Sequence, residues 1–486
     1  MAGAQMRTVQ VDAAKTTGVI RSLQGVGGAP VSFRGAFNVA KQYRDLRIDL
    51  VRTHDFFGPT DIDAKWTHPD KFALGAKADA ANTIFPDWDA DPEKESSYHF
   101  GPSDKVMAGI VSSGAGVYFR IGRSWSADPE PPPDFDKYAS VAKHVVMHYN
   151  AGWAHGFHYN IRYWEFWNEP NLQFHKNTSA GGYDAQPYWS GTPEQFYQLY
   201  EKVARVLKSY DASLKVGAPG LAYAAAPSPF REGLIEYCAV HHVPLDFYAW
   251  HHYTQSFEDP YDLVRIAKDI RGLLDAKGFR DSESILSEWA MSLLHDAGNQ
   301  QSMEHAAFCG AAEIYFEDGP VDRALYYRAD PGALGFFDPD GTYRKKAYAF
   351  KALGAMQDTR ERLAATGADN IGFAALAGRS PDGKTVQVLI SNYEMPEAVR
   401  KGPPASFLKY RKELEGWKEV HYRNNRGYAL TVSNLPWGKA EFTVKRYRTT
   451  KTENWAESST SGKGGTLEIT NLLPPPGVEL IVIRRK

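Results

Sequence analysis

Short apolar runs recur along the first two thirds of the chain. Each run is followed by a polar or glycine-rich stretch and then by a segment with helical periodicity. This alternation is typical of repeated βα units around a parallel sheet. The runs are Leu23–Gly27, Leu50–His54, Val117–Gly122, Tyr163–Glu169, Leu214–Pro219, Leu245–Tyr253, Ser284–Trp289 and Arg323–Arg328. Because eight such units close a barrel, the pattern predicts an α/β protein built on a (β/α)8 TIM barrel.

One of the intervening helices has a clear start signal. Thr192-Pro193-Glu194-Gln195 combines a capping box with proline at the first helical position, and an apolar stripe follows from Phe196 to Leu207. Both features are typical of a helix N-terminus that packs one face on a core. Phe350, Leu353 and Met356 predict a closing helix after the eighth run.

Beyond about residue 358 the pattern changes to a period of two. Glycine, proline and asparagine separate these segments, which include Thr385–Ser391, Tyr428–Leu435, Glu441–Tyr447 and Val478–Ile483. Such alternation predicts an antiparallel β-sandwich. We therefore expect a barrel domain over residues 15–357 and an accessory domain over residues 358–486. A strand at residues 6–12 joins either this accessory domain or the barrel floor.

Composition narrows the kind of partner. The 486 residues carry 56 Lys and Arg against 58 Asp and Glu, a formal net charge of -2 without a basic patch. This balance does not favour nucleic acid or a membrane surface, whereas 12 Trp and 27 Tyr offer flat faces for a neutral carbohydrate. The N-terminal segment lacks a long apolar stretch, and the two cysteines lie in apolar contexts. We expect a cytoplasmic protein that is free to form a homo-oligomer.

Two glutamates stand at predicted strand ends. Glu169 lies in WEFWNEPN at the end of the fourth run, and Glu288 lies in LSEWAMS at the end of the seventh. Aromatic surroundings remove water from a carboxylate and raise its pKa, so Glu169 can donate a proton near neutrality. Two carboxylates across one barrel mouth are the groups that glycosidic cleavage requires. A separation of roughly 5 to 5.5 Å predicts retention of configuration, and a wider gap predicts inversion.

Three segments carry a family resemblance: Trp164–Asn171, Val51–His54 and Asp246–Tyr253. With the strand and sandwich layout, they make the chain resemble clan A glycoside hydrolases from about residue 20 onward, and most closely family 39, which contains β-xylosidases and α-L-iduronidases. The resemblance implies that Glu169 is the acid/base and Glu288 the nucleophile of a retaining double displacement. It implies an exo-acting β-xylosidase that releases xylose from the non-reducing ends of xylo-oligosaccharides, with no metal and no cofactor.

Residues on the sixth run are expected to support the two glutamates. Positions two apart share a strand face, so His251 and Tyr253 point together. If that face is the barrel interior, Tyr253 hydrogen-bonds the Glu288 carboxylate, while His251 stays neutral and reaches a sugar hydroxyl. Both assignments agree with the family's His-x-Tyr pattern. We place His252 on the outer, structural face.

Four further residues complete the predicted site. Asn168 is expected to hydrogen-bond the sugar 2-hydroxyl, a contact that strengthens towards the transition state. His54 and Arg52 share a face at the end of the second run, where they either bind sugar hydroxyls, brace the carboxylates by charge, or fix strand ends together. Trp289, beside the second glutamate, is a candidate substrate contact.

Several alternatives remain at this stage. Another clan A specificity, such as an α-L-arabinosidase or an α-L-iduronidase, is one; a uronate would need a cation, for which Arg123, Arg328 and Lys176 are candidates. A non-catalytic sugar-binding protein is another, although binding alone needs no matched pair of glutamates. The insertion at residues 57–102 and the loop at residues 171–191 either wall the leaving-group side or form a subunit contact. Adjacent histidines lack the spacing of a metal site.

Overall fold

The computed structural model describes residues 5–55, 58–63, 82–123, 130–174, 188–254, 259–291, 302–394 and 425–486. In this part of the chain, eight parallel strands close a barrel and nine further strands form a second, mostly antiparallel sheet. The predicted fold class is therefore confirmed.

Strand β1 (Gln5–Val19) precedes the barrel and belongs to the second sheet. The barrel strands are β2 (Gln24–Gly27), β3 (Leu50–Arg52), β4 (Gly116–Ile121), β5 (Tyr163–Phe166), β6 (Lys215–Leu221), β7 (Phe247–Thr254), β8 (Glu283–Met291) and β9 (Arg323–Tyr326). Each predicted run overlaps one of these strands, and β2 closes the barrel by pairing with both β3 and β9. The predicted strand ends therefore meet at one face of the barrel.

Helices alternate with the barrel strands. They are α1 (Ala40–Leu46), α2 (Gly101–Ser112), α3 (Phe135–Ala151), α4 (Pro193–Tyr210), α5 (Leu234–His241), α6 (Asp262–Ala276), α7 (Met303–Phe316) and α8 (Lys345–Met356). At the start of α4, the Thr192 side chain accepts a hydrogen bond from the Gln195 backbone N–H, and the Gln195 side chain accepts one from Thr192. The predicted capping box is confirmed, as is the closing helix α8.

The second sheet contains β10 (Glu361–Thr366), β11 (Phe373–Arg379), β12 (Thr385–Asn392), β13 (Asn425–Ser433), β14 (Glu441–Thr449), β15 (Ala456–Lys463), β16 (Leu467–Leu472) and β17 (Gly477–Arg485). Its order is β15-β14-β17-β12-β11-β10-β1-β13-β16. The pairs are antiparallel except for β1 and β13, which run parallel. The first strand of the chain thus lies inside this sheet, between β10 and β13.

Helix α7 packs between the barrel and the second sheet, and all of its residues are buried. Ser391 of β12 donates a hydrogen bond from Oγ to the Ala307 carbonyl at 2.7 Å, and apolar residues of β11, β12 and β17 join the barrel core. Helices that must cover two surfaces are apolar all round. The sheet therefore stabilises one side of the barrel.

The described part of the long insertion after β3 packs beside α3. Phe85 is fully buried, and its ring contacts those of Trp88 and Tyr98 at centroid distances of 6.1 and 5.1 Å. Trp88 in turn lies 6.3 Å from the ring of Tyr138 on α3. These aromatic residues extend the apolar core; Trp66 lies outside the described residues.

The cysteines Cys238 and Cys309 are free and buried. No helix among the described residues is both long enough and apolar enough to cross a bilayer.

Candidate active site

The segment after β5 has an unusual backbone. Trp167 and Glu169 adopt left-handed conformations with φ of 72° and 50°, which bulky side chains rarely do. Two hydrogen bonds fix it: Trp167 N–H donates to the Ile121 carbonyl at 2.6 Å, and Glu169 N–H donates to the Gly220 carbonyl at 2.8 Å. Strain of this kind persists only where the surroundings hold it, and it clusters at functional sites.

The register between β7 and β8 aligns the second glutamate. Trp250 pairs with Leu286, but a bulge follows, and His251 pairs with Glu288. An extra residue in one strand redirects the side chains that come after it. His251 and Glu288 consequently face the same interior at the barrel mouth.

Strand alternation places His251 and Tyr253 together, as predicted. The Tyr253 hydroxyl donates a hydrogen bond to Glu288 Oε2, which agrees with the expected contact. His251 Nδ1 lies 2.9 Å from Glu169 Oε1 and 3.6 Å from Glu288 Oε2. The imidazole therefore connects the two carboxylates through Nδ1, while Nε2 has no hydrogen-bond partner among the described residues. The contact of His251 with a sugar hydroxyl stays a prediction.

The two glutamates lie close together. One carboxylate oxygen of Glu169, one carboxylate oxygen of Glu288 and a ring nitrogen of His251 all lie within 4.8 Å of one another. The Glu169 side chain is 14 % exposed and that of Glu288 is 6 % exposed. Both carboxylates border the same small space at the barrel mouth.

Arg52 of β3 is the centre of a buried polar cluster. Its Nε donates to Glu165 Oε2 at 2.5 Å, its Nη1 to Glu288 Oε1 at 2.6 Å and its Nη2 to Asn168 Oδ1 at 2.9 Å. Burial opposes the guanidinium charge, but Glu165 and Glu288 outweigh that effect and raise the pKa of Arg52. Three roles are open for Arg52 from the sequence: it binds sugar hydroxyls, braces the carboxylates by charge, or fixes strand ends together. These contacts agree with the second role, because the guanidinium charge braces Glu288.

Burial shifts the pKa values of Glu169 and His251, which face each other, in opposite directions. Burial raises the pKa of Glu169 to about 7; the negative charge of Glu165 adds to this rise, and Arg52 opposes it. Burial lowers the pKa of His251 to about 4. Near neutral pH, Glu169 therefore exchanges a proton readily while His251 stays neutral.

Two other predicted residues are buried near the cluster. Asn168 is 1 % exposed, and its Nδ2 has no hydrogen-bond partner among the described residues. His54 is 5 % exposed, its Nδ1 is likewise unpaired within that part of the chain, and burial lowers its pKa well below the usual range. Unpaired buried polar atoms are costly unless a ligand uses them.

Trp289 does not fit its predicted role. Its neighbour Glu288 points into the barrel, so alternation turns Trp289 outward. The indole is fully buried against Phe316 of α7 and Tyr326 of β9, with ring centroids 5.3 Å away in each case. It packs in the layer between barrel and helices, which corrects the expectation of a substrate contact.

Sequence reasoning missed two members of the site. Glu165 is fully buried and pairs with Arg52, and a buried arginine in the second run already implied such a partner. Gly220 has a φ of 60°, and a Cβ there would lie 3.3 Å from both Glu165 Oε1 and His251 Nε2. A glycine allows the backbone that holds Glu169 to approach the polar cluster.

Carboxylates and an imidazole at this distance can also bind a metal ion. Here Arg52 and Tyr253 already hydrogen-bond the two oxygens of Glu288, and His251 Nδ1 contacts Glu169. A cation would have to displace these contacts against the charge of Arg52. The cluster is better suited to proton transfer than to metal binding.

A barrel whose fourth and seventh strands bring two carboxylates together at its mouth is the arrangement of a glycoside hydrolase. The model of "Glycosyl hydrolases family 39" matches residues 105–269. A β-xylosidase from Geobacillus stearothermophilus is 25% identical over 227 residues, which are 40% of this chain and 42% of the relative. One from Caldicellulosiruptor saccharolyticus is 28% identical over 153 residues, 30% of this chain and 26% of the relative. Both alignments span less than half of the curated relative.

Solved structures match over the whole length. A glucosidase from Croceicoccus marinus is 33% identical, with a TM-score of 0.83 over 99% of this chain and 100% of that one. A GH39 enzyme from Xanthomonas axonopodis pv. citri is 16% identical, with a TM-score of 0.70 over 100% and 98%, and shows the shared fold. The chain belongs to glycoside hydrolase family 39.

Proposed function

We propose that this protein is a retaining, exo-acting glycosidase that removes β-xylose from the non-reducing ends of xylo-oligosaccharides. The observation that carries the proposal is the approach of Glu169 and Glu288 oxygens to within 4.8 Å. A gap of this size suits direct attack by one carboxylate, since an inverting enzyme needs room for a water molecule between its carboxyl groups.

In the first step, Glu288 attacks the anomeric carbon while the glycosidic carbon–oxygen bond breaks. Glu169 gives its proton to the leaving oxygen, and a pKa of about 7 keeps that proton available near neutrality. Arg52 and Tyr253 orient the attacking carboxylate through the hydrogen bonds described above. In the second step, Glu169 takes a proton from water, the water oxygen bonds to the anomeric carbon, and the ester to Glu288 breaks.

The charges around the mouth favour a neutral sugar. Arg123 forms a two-pronged ion pair with Asp63, with contacts of 2.8 and 2.6 Å, and Arg328 pairs with Asp330. These arginines were the candidates for holding a uronate carboxylate, and both are already neutralised. Lys176 lies outside the described residues. We therefore place the α-L-iduronidase alternative behind a pentoside.

A glucoside is the second candidate. The Croceicoccus marinus glucosidase matches this chain from end to end at 33% identity, whereas the two β-xylosidases match 40% and 30% of it. Xylose and glucose are both neutral pyranoses that differ at C5. Aryl β-xylosides and aryl β-glucosides with the same leaving group, compared by kcat/KM, would decide between them.

Azide rescue tests the two catalytic roles. With an activated aryl glycoside, Glu288→Gly is expected to be inactive alone and to form a glycosyl azide of inverted configuration when azide is added. Glu169→Ala is expected to retain activity mainly on substrates with good leaving groups, because these need no proton. NMR of the azide product gives its configuration. Equal, modest losses in both variants, without rescue, would contradict the assignment.

A further inference from the structure

The loop after β6 is tied to the segment that carries Glu169. The Gly220 carbonyl accepts the Glu169 N–H at 2.8 Å. Two residues further on, Asn171 and Ala222 exchange two hydrogen bonds: Asn171 Nδ2 donates to the Ala222 carbonyl at 2.7 Å, and the Ala222 N–H donates to Asn171 Oδ1 at 3.0 Å. The loop and the proton-donor segment therefore form one fixed unit at the barrel mouth.

Tyr223 projects from this fixed loop. It follows the anchored Ala222, and the next residue, Ala224, donates its N–H to the His251 carbonyl at 3.4 Å. Despite these anchors, Tyr223 is 57 % exposed, and its φ is 51°. A bulky residue held in the left-handed region with more than half of its surface exposed is a candidate for a functional role at the barrel mouth.

The tyrosine lies on the proton donor's side of the site. Burial raises the pKa of Tyr223, and the charge of Glu169 adds to this rise, so the phenol is within electrostatic reach of that carboxylate. Two of the buried polar atoms that have no partner in the described part of the chain, His54 Nδ1 and Asn168 Nδ2, lie instead near Arg52 of β3. Unpaired polar atoms can hydrogen-bond the hydroxyls of the sugar whose anomeric carbon is attacked, on the other side of the site from the leaving group.

In the proposed reaction, Glu169 protonates the oxygen of the leaving group, so that group must occupy the side from which Glu169 approaches. We propose that the Tyr223 ring is the stacking platform for the leaving-group sugar, a pyranose whose axial C–H face lies on the aromatic ring. This inference rests on the proposed glycosidase function and adds the residue that positions the leaving-group sugar.

A matched pair of donors tests the platform. Xylobiose has a sugar ring as leaving group, whereas β-xylosyl fluoride has none and passes through the same glycosyl-enzyme. For Tyr223→Ala, we expect kcat/KM on xylobiose to fall about tenfold, which corresponds to the loss of one aromatic contact, and on the fluoride to stay within about twofold. Tyr223→Trp is expected to restore activity on xylobiose. Tyr210→Ala is the control, because Tyr210 is also exposed and ends α4 at the opposite end of the barrel.

The possible outcomes separate the two proposals. If the unaltered enzyme hydrolyses neither xylosyl donor, the β-xylosidase proposal fails, and cellobiose with β-glucosyl fluoride replaces the pair in the same comparison. If the unaltered enzyme is active and Tyr223→Ala loses activity equally on both donors, or on neither, the platform is overturned. A selective loss on the disaccharide that Tyr223→Trp reverses would support it.

Discussion

The barrel mouth and the second sheet each contain a buried charged side chain with three hydrogen-bonded partners. The charges of the cluster balance only in the sheet. In the barrel, Arg52 faces two carboxylates and one amide oxygen: Glu165, Glu288 and Asn168. One positive charge there meets two negative ones. Glu165 Oε1 and Asn168 Nδ2 remain without partners among the described residues.

In the sheet, the roles are reversed. Glu479 of β17 accepts hydrogen bonds from Arg446 at 2.8 Å, from the Tyr428 hydroxyl at 2.6 Å and from Asn471 at 2.6 Å. One negative charge meets one positive charge, and both carboxylate oxygens are used. A buried cluster whose charges balance and whose polar atoms are paired serves stability alone.

The excess negative charge in the barrel has a consequence for chemistry. It faces the region where positive charge develops on the sugar during bond cleavage. The protonated form of Glu169 is favoured chiefly by burial, while Arg52 opposes it and Glu165 adds to it. The comparison suggests that an unbalanced, incompletely paired cluster marks a reactive site, and a balanced one marks a structural site.

The largest expected effect comes from breaking the barrel cluster. Arg52→Lys keeps the charge but replaces a planar fork that holds three acceptors by a single ammonium group. We expect kcat/KM to fall about 100- to 1000-fold, since Glu288 loses its orientation and part of its charge compensation. Steady-state kinetics on an aryl glycoside measures this loss.

Arg446→Lys is the matched control in the sheet. It removes the same fork from Glu479, and we expect kcat/KM within about twofold of the unaltered enzyme. Equal activity losses for Arg52→Lys and Arg446→Lys would show that the barrel cluster acts only through stability.

Much of this cluster could be predicted from the sequence. Strand ends of a parallel barrel gather at one face, which was enough to bring Glu169 and Glu288 together. The two-residue strand period was enough to predict the contact between Tyr253 and Glu288. Applied to Trp289, the same period would have turned that residue outward, so its assignment as a substrate contact was avoidable.

Other features depend on three-dimensional detail. The extra residue Ser287 in β8 sets Glu288 opposite His251, and periodicity alone cannot locate an extra residue in a strand. The left-handed backbone of Glu169 depends on a hydrogen bond to Gly220 of another strand. Strand β15 was missed because its exposed, polar sequence lacks the apolar alternation that a half-buried strand shows.

The next effect in size is a change in pH dependence. Glu165→Gln removes a negative charge that raises the pKa of Glu169, while Arg52 continues to lower it. The pKa of Glu169 should therefore fall below its value of about 7. The first step needs protonated Glu169, so the alkaline limb of the kcat/KM profile should move to lower pH, by about one unit.

Glu313→Gln is the control for this shift. Glu313 of α7 is also a buried carboxyl, 3 % exposed, and burial raises its pKa well above the usual range. It lies on a helix outside the barrel, so its removal should leave the alkaline limb in place. If the alkaline limb of the kcat/KM profile stays unchanged in Glu165→Gln, or moves to higher pH, the negative charge of Glu165 does not raise the pKa of Glu169, and the interpretation is contradicted.

The smallest expected effect on activity comes from breaking the balanced cluster. Glu479→Gln keeps the shape of the side chain but removes the charge that holds Arg446, so both the ion pair and one acceptor position are lost. We expect the free energy of unfolding to fall by about 2 kcal/mol, with kcat/KM of the folded protein within about twofold of the unaltered enzyme. Denaturant unfolding and kinetics on the same samples measure both. If Glu479→Gln instead moved the pH profile, as Glu165→Gln is expected to do, charge balance would not distinguish a structural cluster from a reactive one.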